Sequence, residues 1–322
     1  SSNPIYKLPF LINSLKQDYF RQKVYDISNG SDQDNISTDE INDIPLIFFR
    51  VRNLDQFISF SEELTQDQAK VLSGFVFPKF YTENATKYFE RLLYLNKKFD
   101  TNLYGMPILE GKSIAYRETR ALELEKLKAI LDTYKEYVLN IRIGGTDFSS
   151  LFGVRRGINT SIYDILPVRN TISDILNFFS RTENMYTISG PVWEYFLAYN
   201  DDDIKKYINR DSDLSFITDE VIVNQAIDGL LKEIVKDSAN GMIGKTVIHP
   251  SHLKFVNAMQ AITNEEYEDA LQITNTEGGV IKSEKGNKMN EIGPHRAWAE
   301  RVLIKSKVYG VIKDEKDYFG LF

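Results

Sequence analysis

Two stretches of this chain run from apolar residues into a carboxylate, and the pattern suggests where its chemistry lies. The first reads Met106-Pro107-Ile108-Leu109-Glu110, the second Ile141-Arg142-Ile143-Gly144-Gly145-Thr146-Asp147. Both read as strands, consecutive in the chain and separated by one helix. In a parallel barrel consecutive strands are neighbours, so both carboxylates reach the same C-terminal rim, where barrel enzymes place their chemistry. Two carboxylates held together repel unless a cation or a proton lies between them. Hard oxygen donors, with no cysteine in the chain and no histidine nearby, suit Mg2+ better than zinc. Glu110 and Asp147 are therefore expected as metal ligands, with room left for waters and a chelating substrate. Taken singly, each acid serves as well to cap the helix that follows.

Other groups fall near the same rim. Phe48-Phe49-Arg50-Val51-Arg52-Asn53 carries two arginines that alternation along a strand would point to one side. Such guanidinium forks suit carboxylates and developing oxyanions. Lys79, after Phe77-Pro78, ends the next strand and reads equally as a site group or a solvated lysine. Arg155 and Arg156 follow Asp147 and either hold a phosphate-bearing cofactor or form an exposed basic pair. In Ser189-Gly190-Pro191-Val192-Trp193-Glu194, the glycine and proline would let backbone amides approach a ligand, or simply make a turn. His249 closes the strand-like run Gly244-Lys245-Thr246-Val247-Ile248 and, alone, reads as a hydrogen-bonded structural group.

From residue 45 on, short apolar runs alternate with longer amphipathic ones. The short runs cover 46–51, 74–77, 103–109, 138–143, 185–188 and 245–248. The clearest helix spans about 118–135, with Leu124, Leu127, Leu131 and Tyr134 at helical spacing, and another lies near 220–236, with Val223, Ile227, Leu230, Leu231 and Ile234 on one face. Apolar strands joined by crossover helices imply a parallel sheet covered on both faces. Eight such units close a (β/α)8 TIM barrel, and an open doubly wound sheet is the alternative. Stretches 6–10 and 23–27 are candidates for the first two strands, and 28–43, rich in Asp, Asn and Ser, reads as a loop. The barrel is expected over 1–260. The remainder, 261–322, exceeds what an eighth helix needs and reads as a C-terminal helical extension serving as a lid or oligomer arm. It holds a polar loop at 274–290 and a helix at 295–306 that bring Met289, Glu291, His295 and Trp298.

With 322 residues, 42% of them hydrophobic, the chain can build one large α/β barrel or two smaller domains. Its three histidines all lie beyond residue 248, which limits any His-rich site. A formal charge of −7 argues against nucleic-acid binding. The mean hydropathy of −0.32 and the lack of a membrane-length apolar run argue against a membrane partner. No signal-peptide pattern opens the sequence, and a cytoplasmic protein is expected.

The run Gly244-Lys245-Thr246-Val247-Ile248-His249-Pro250-Ser251 resembles the last-strand signature of the citrate lyase beta-subunit-like family, which includes malyl-CoA lyases. The strand ending at Glu110 and the Gly-Thr-Asp strand at Asp147 resemble that family's two magnesium-ligand strands. Arg50 corresponds to its strand arginine, which faces a thioester oxygen, and Pro78-Lys79 also matches. The likeness covers about 45–260 in consistent order. Ser189-Gly190-Pro191-Val192-Trp193 and Lys288-Met289-Asn290-Glu291 with Pro294-His295 and Trp298-Ala299 resemble, more narrowly, a bacterial subgroup encoded near tellurite-resistance and stress-response genes. Two departures stand out: the family's acidic segment at the second strand has no counterpart in 1–45, and Arg52 stands where the family often has asparagine.

The resemblance implies a Mg-dependent lyase of the retro-aldol or retro-Claisen type, acting on a 2-oxo or 3-hydroxy acid or its acyl-CoA thioester. A 2-oxo or 2-hydroxy acid would chelate the metal, and Arg50, with Arg52, would stabilise an enolate oxygen. Lys79, Arg155, Arg156 and His249 are then expected to contact the cofactor portion. The general base is open; in relatives it can come from a neighbour's C-terminal arm, which makes His295 and Glu291 the candidates here and implies a homo-oligomer such as a trimer. The rivals are a binding or scaffold protein that keeps the barrel without turnover, and a thioesterase or lyase acting without CoA.

Overall fold

The computed structural model describes residues 45–196, 225–283, 288–313 and 317–321. The strands expected in 6–10 and 23–27 and the loop at 28–43 lie outside them. The described residues divide into two compact units. The first holds 45–154, 167–179 and 186–188, and the second holds 155–166, 180–185 and the described residues from 189 on.

The first unit begins with β1 (Phe48–Arg50), α1 (Leu54–Glu62), α2 (Gln66–Val71), β2 (Gly74–Phe77) and α3 (Thr82–Phe99). It continues through β3 (Tyr104–Leu109), α4 (Lys112–Ala115), α5 (Arg117–Thr133), β4 (Ile141–Ile143) and α6 (Gly145–Leu151). Then come α7 (Leu166–Phe179) and β5 (Ile188–Ser189), where the chain passes into the second unit. The sheet order is β1-β2-β3-β4-β5. The first three pairings are parallel, with Phe48 opposite Gly74, Gly74 opposite Tyr104, and Ile108 opposite Arg142. A doubly wound sheet reverses its strand order at a switch point; among the described strands the order never reverses.

Strand β2 is buried along its whole length, as expected of a parallel strand covered on both faces. Phe57, Phe75, Phe77, Phe80, Tyr88 and Phe89 pack around it, with ring centroids 4.5 Å apart for Phe77–Tyr88 and 6.0 Å for Phe80–Phe89. Each such ring, fully buried, contributes about 1.5–3 kcal/mol relative to exposure. Phe77 and Phe80 are both completely buried and bracket Lys79, so the turn bearing that lysine is anchored on either side.

The expected elements hold with some corrections. Strand β1 stops at Arg50 because Asn53 caps α1, its side chain accepting the Gln56 N–H at 2.9 Å. Arg52 therefore lies in the turn before the cap and does not share a strand face with Arg50. Val138 makes only an isolated bridge to Gly105, and β4 begins at Ile141. The helix expected at 118–135 spans Arg117–Thr133, with Leu124, Leu127 and Leu131 buried.

The second unit contains α8 (Gln225–Ala239), α9 (Leu253–Ala258), β6 (Ile262–Thr263), α10 (Asn264–Thr274), β7 (Val280–Lys282), β8 (Met289–Glu291), α11 (Ile292–Tyr309), β9 (Val311–Ile312) and α12 (Tyr318–Leu321). Trp193 packs with Ile227, Leu230, Leu231 and Ile234 of α8 and with Phe255 of α9. Ile262, Ala270, Ile273, Ile292, Ala299 and Val302 form a second core. In the run 245–248 only Lys245 pairs, in a single bridge to Gly190. The polar stretch 274–290 is not all loop: β7 and β8 pair antiparallel, Ile281 opposite Asn290. Among the described residues no helix is long and apolar enough to cross a membrane.

Candidate active site

Three neighbouring strands of the first unit each deliver one charged group beyond their C-terminal ends: Lys79 after β2, Glu110 after β3 and Asp147 after β4. Hydrogen bonds extend the ladder past the strands. Phe80 N–H donates to the Ile108 carbonyl at 3.4 Å and Gly144 N–H to the Leu109 carbonyl at 2.9 Å. Glu110 is 4% exposed, and its Oε1 accepts the Lys79 backbone N–H at 2.8 Å. The Lys79 ammonium lies 3.9 Å from the same oxygen and donates to Asp147 Oδ1. One ammonium thus links both carboxylates.

Two local features make this possible. Lys79 adopts a left-handed backbone, φ 49°, which costs a side-chain-bearing residue about 1–2 kcal/mol. Its carbonyl accepts from Asn84 Nδ2 at 2.9 Å, so the turn is held from within α3. Gly144 supplies the second: a Cβ there would stand 2.3 Å from Glu110 Cβ and 2.8 Å from Oε2. The buried carboxylate occupies the space a side chain would need.

Burial pushes the Glu110 carboxyl up, and Asp147 pushes the same way against the Lys79 N–H and ammonium. Burial works against the Lys79 charge, but the hydrogen bond to Asp147 and the two carboxylates outweigh it and raise the ammonium's pKa. Tyr81, two residues on, is raised by burial. These groups line a cavity of about 410 Å3 whose walls include Tyr81, Glu83, Lys112, Ser113, Ser150 and Leu151.

A hard divalent cation fits this donor set, because a desolvated carboxylate facing a second one is relieved by positive charge, and oxygen donors suit Mg2+. Among the described residues no group of three His, Asp or Glu side chains converges to hold a metal. The protein would therefore supply two ligands, with waters or substrate completing the shell.

Of the other residues expected at the site, Arg50 ends β1, exposed. Arg52 is exposed, and its N–H donates to Gln56 Oε1 at 2.7 Å. The rest belong to the second unit. Arg155 is exposed, whereas Arg156 is 4% exposed and committed internally, donating to Glu194, Glu233 and the Val192 carbonyl. His249 is half-buried and stacks on Phe196 at 4.3 Å, with Nδ1 2.8 Å from Ser251 Oγ. His295 Nδ1 accepts the Glu291 N–H at 3.2 Å at the start of α11.

Two further elements carry charge that was not singled out. Arg142 lies in β4 between buried Ile141 and Ile143, and alternation sets it on the other face from both. Burial and the nearby Arg50 lower its pKa, while Glu110 opposes them. In the second unit, Lys245 is buried between Asp237 Oδ2 at 2.7 Å and Glu233 Oε2 at 3.0 Å. Tyr163 donates to Asp237, and Arg156 completes the cluster through Glu233. Burial raises Asp237, whereas Lys245 and Arg156 hold Glu233 below the usual carboxylate range although its burial works the other way. Gly190 is required here, since a Cβ would lie 2.1 Å from Asp237 Oδ2. The signal was in α8: Glu233 and Asp237 sit four apart on the helix's apolar face.

A parallel sheet in sequential order with charged groups gathered past its C-terminal strand ends is the architecture of a TIM-barrel enzyme class. Residues 18–311 match the family model described as C-C bond lyase of the TIM-barrel fold, and the chain belongs to that family. Its fold is accordingly the (β/α)8 class expected from the alternating pattern. No curated protein matches the sequence. The structure is similar to the crystal structure of a citrate lyase from Burkholderia xenovorans LB400, with a TM-score of 0.55, 12% identity, and coverage of 86% of this chain and 76% of that one. At that identity the likeness is one of fold.

Proposed function

We propose that this chain is a Mg-dependent carbon–carbon bond lyase of the retro-aldol or retro-Claisen type, acting on a 2-oxo or 3-hydroxy acid or its acyl-CoA thioester. The observation that carries this reading is the pairing of Glu110 and Asp147, on adjacent strand ends, around a single ammonium. Bound between those carboxylates, Mg2+ would supply Lewis-acid polarisation of the substrate oxygen. Lys79 fixes Glu110 through its N–H and holds the two carboxylates together. Arg50, with Arg142 electrostatically close to both Arg50 and Glu110, offers guanidinium charge to an enolate oxygen as it develops. His295 is the candidate proton-transfer group: its Nδ1 accepts the Glu291 N–H, which leaves Nε2–H as the group able to donate a proton. It would serve in its own subunit or a neighbour's within a homo-oligomer such as a trimer. For a CoA portion, Arg155 is the better phosphate contact, since the Arg156 guanidinium is engaged inside the protein. A cytoplasmic setting and membership of the tellurite-resistance-associated subgroup belong to the same reading.

One observation favours a second reading, a binding module without turnover: Lys79 already bridges the carboxylate pair and offsets one of its two charges without a metal. Thermal denaturation with and without Mg2+ separates the two. The lyase reading expects Mg2+ to raise the Tm of the native protein and to leave Asp147→Asn unmoved. An identical Mg2+ response in both proteins removes the shared metal site and leaves the binding module.

A further inference from the structure

The cavity holding Glu110 and Asp147 has a second charged wall. Lys112 opens α4, two residues after Glu110, and its ammonium makes no hydrogen bond or ion pair among the described residues. Ser113 lines the same cavity, and its buried Oγ has no hydrogen-bond partner either. Lys79 is already engaged by Glu110 and Asp147. Glu83, the third carboxylate lining the cavity, makes no ion pair with Lys112. Among the described residues, the cavity thus contains one cation with no counter-charge, beside a hydroxyl with no hydrogen-bond partner.

Counting the groups that line it, three carboxylates (Glu83, Glu110, Asp147) and two ammoniums (Lys79, Lys112) leave a net charge of −1. A divalent cation on the carboxylate pair turns that to +1. Only in that state does the cavity lining attract an anion, and the lining then offers it two cationic features: the metal with Lys79, already shared with the carboxylates, and Lys112. A ligand with one acid group satisfies the first and leaves the second unused. An ammonium makes a compact point charge suited to a carboxylate or a phosphate oxygen.

We propose that Lys112 is a specificity residue that binds a second oxyanion of the substrate, so that the site selects acids bearing a distal carboxylate or phosphate over simple monoacids. This rests on the lyase reading for the chelating end of the ligand. Lys112 contacts the distal group and takes no part in bond breaking.

The test is calorimetric titration of the Mg2+-loaded native protein and of Lys112→Met and Lys112→Gln with three probes. Pyruvate has one acid group, 2-oxoglutarate adds a distal carboxylate, and 3-phosphohydroxypyruvate adds a phosphate. Lys112 is exposed, so both variants should fold, which circular dichroism checks. The expected result is a loss of about tenfold or more in affinity for one or both doubly acidic probes, the usual scale for a removed charge-assisted contact, with pyruvate affinity unchanged. The probe that loses more identifies the distal group as carboxylate or phosphate. Equal affinities of native and variant proteins for all three probes, or an equal loss for all three, overturn the role of Lys112 while leaving the chelating site standing. If no probe binds the native protein with Mg2+, the lyase reading fails, and this inference with it.

Discussion

Lys79 is joined to Glu110 twice: its backbone N–H donates to Oε1 at 2.8 Å, and its ammonium stands 3.9 Å from the same oxygen. The first contact needs the left-handed backbone and the second needs the side chain. Substitutions separate them. Lys79→Met removes the ammonium and keeps the backbone cost, whereas Lys79→Gly removes both. Relief of about 1–2 kcal/mol, less the extra chain entropy of glycine, about 0.5–1 kcal/mol, leaves the glycine variant more stable by up to about 1.5 kcal/mol. Chemical denaturation monitored by circular dichroism measures the difference; a methionine variant at least as stable as the glycine one would show that the backbone at this position is unstrained.

Gly144→Ala pushes a methyl group into Glu110. It is expected to lose about 1–3 kcal/mol, the usual cost of overpacking, and to abolish the Mg2+-induced rise in Tm. Gly293→Ala is the matching control. It opens α11 ahead of Pro294, and outside its chain neighbours nothing lies within 4 Å of the added atom, so the change is expected to stay within about 0.5 kcal/mol. A clearly larger loss at Gly144 than at Gly293 is the expected outcome, and equal losses would contradict the packing account.

Lys245→Met leaves Glu233 and Asp237 buried with one cation fewer. Removing one partner of a buried ion pair costs about 3–5 kcal/mol. Trp193, with the Arg156 guanidinium 4.8 Å from its ring, gives a fluorescence signal for this unit. The double variant Lys245→Met/Asp237→Leu is expected to recover part of the loss. A single variant within 1 kcal/mol of the native protein would mean that water reaches the cluster (about 1 kcal/mol being the ceiling for an exposed pair).

His252 is 1% exposed, with Nε2 2.9 Å from the Tyr195 carbonyl. Burial lowers its pKa from 6.5, and the nearby His249 and Lys245 lower it further, against the hydrogen bond to Tyr195. Above that value both folded and unfolded chains hold a neutral ring, and the residue adds no pH dependence. As pH falls through 6.5 the unfolded chain takes up a proton that the folded one refuses, so stability drops until the folded pKa is reached. His252→Gln should flatten that acid slope in urea melts between the two values. An unchanged slope assigns it to other groups.

Much of the first unit was legible because its signals are local. Short, nearly unbroken apolar runs gave β2 and β3, and three- and four-residue spacings gave α5. The acids at Glu110 and Asp147 could be placed together because consecutive parallel strands are neighbours. What escaped depends on partners distant in sequence. Nothing in Phe77-Pro78-Lys79 announces a left-handed lysine, since that conformation is imposed by Phe77 and Phe80 on either side and by the Glu110 acceptor. Arg155 and Arg156 look alike in sequence. They differ because Glu194 and Glu233, each far along the chain, claim only the second. β7 and β8 are too short for alternation to register among their glycines and polar neighbours. Arg142 was readable from its position between two isoleucines.

The sequential strand order also bears on how the protein is made. As the chain leaves the ribosome, β2 finds β1 already present, then β3 finds β2 and β4 finds β3. Lys79 waits only 31 residues for Glu110 and 68 for Asp147. Arg156 must wait 77 for Glu233, and β6 pairs only after β9 has been synthesised. Pairings over short sequence distances form early and those over long distances late. The carboxylate site can therefore assemble during translation, while the charge cluster of the second unit closes after most of the chain has emerged. Arg156 therefore meets Glu194 first, 38 residues on, and goes without its Glu233 partner for a further stretch of synthesis.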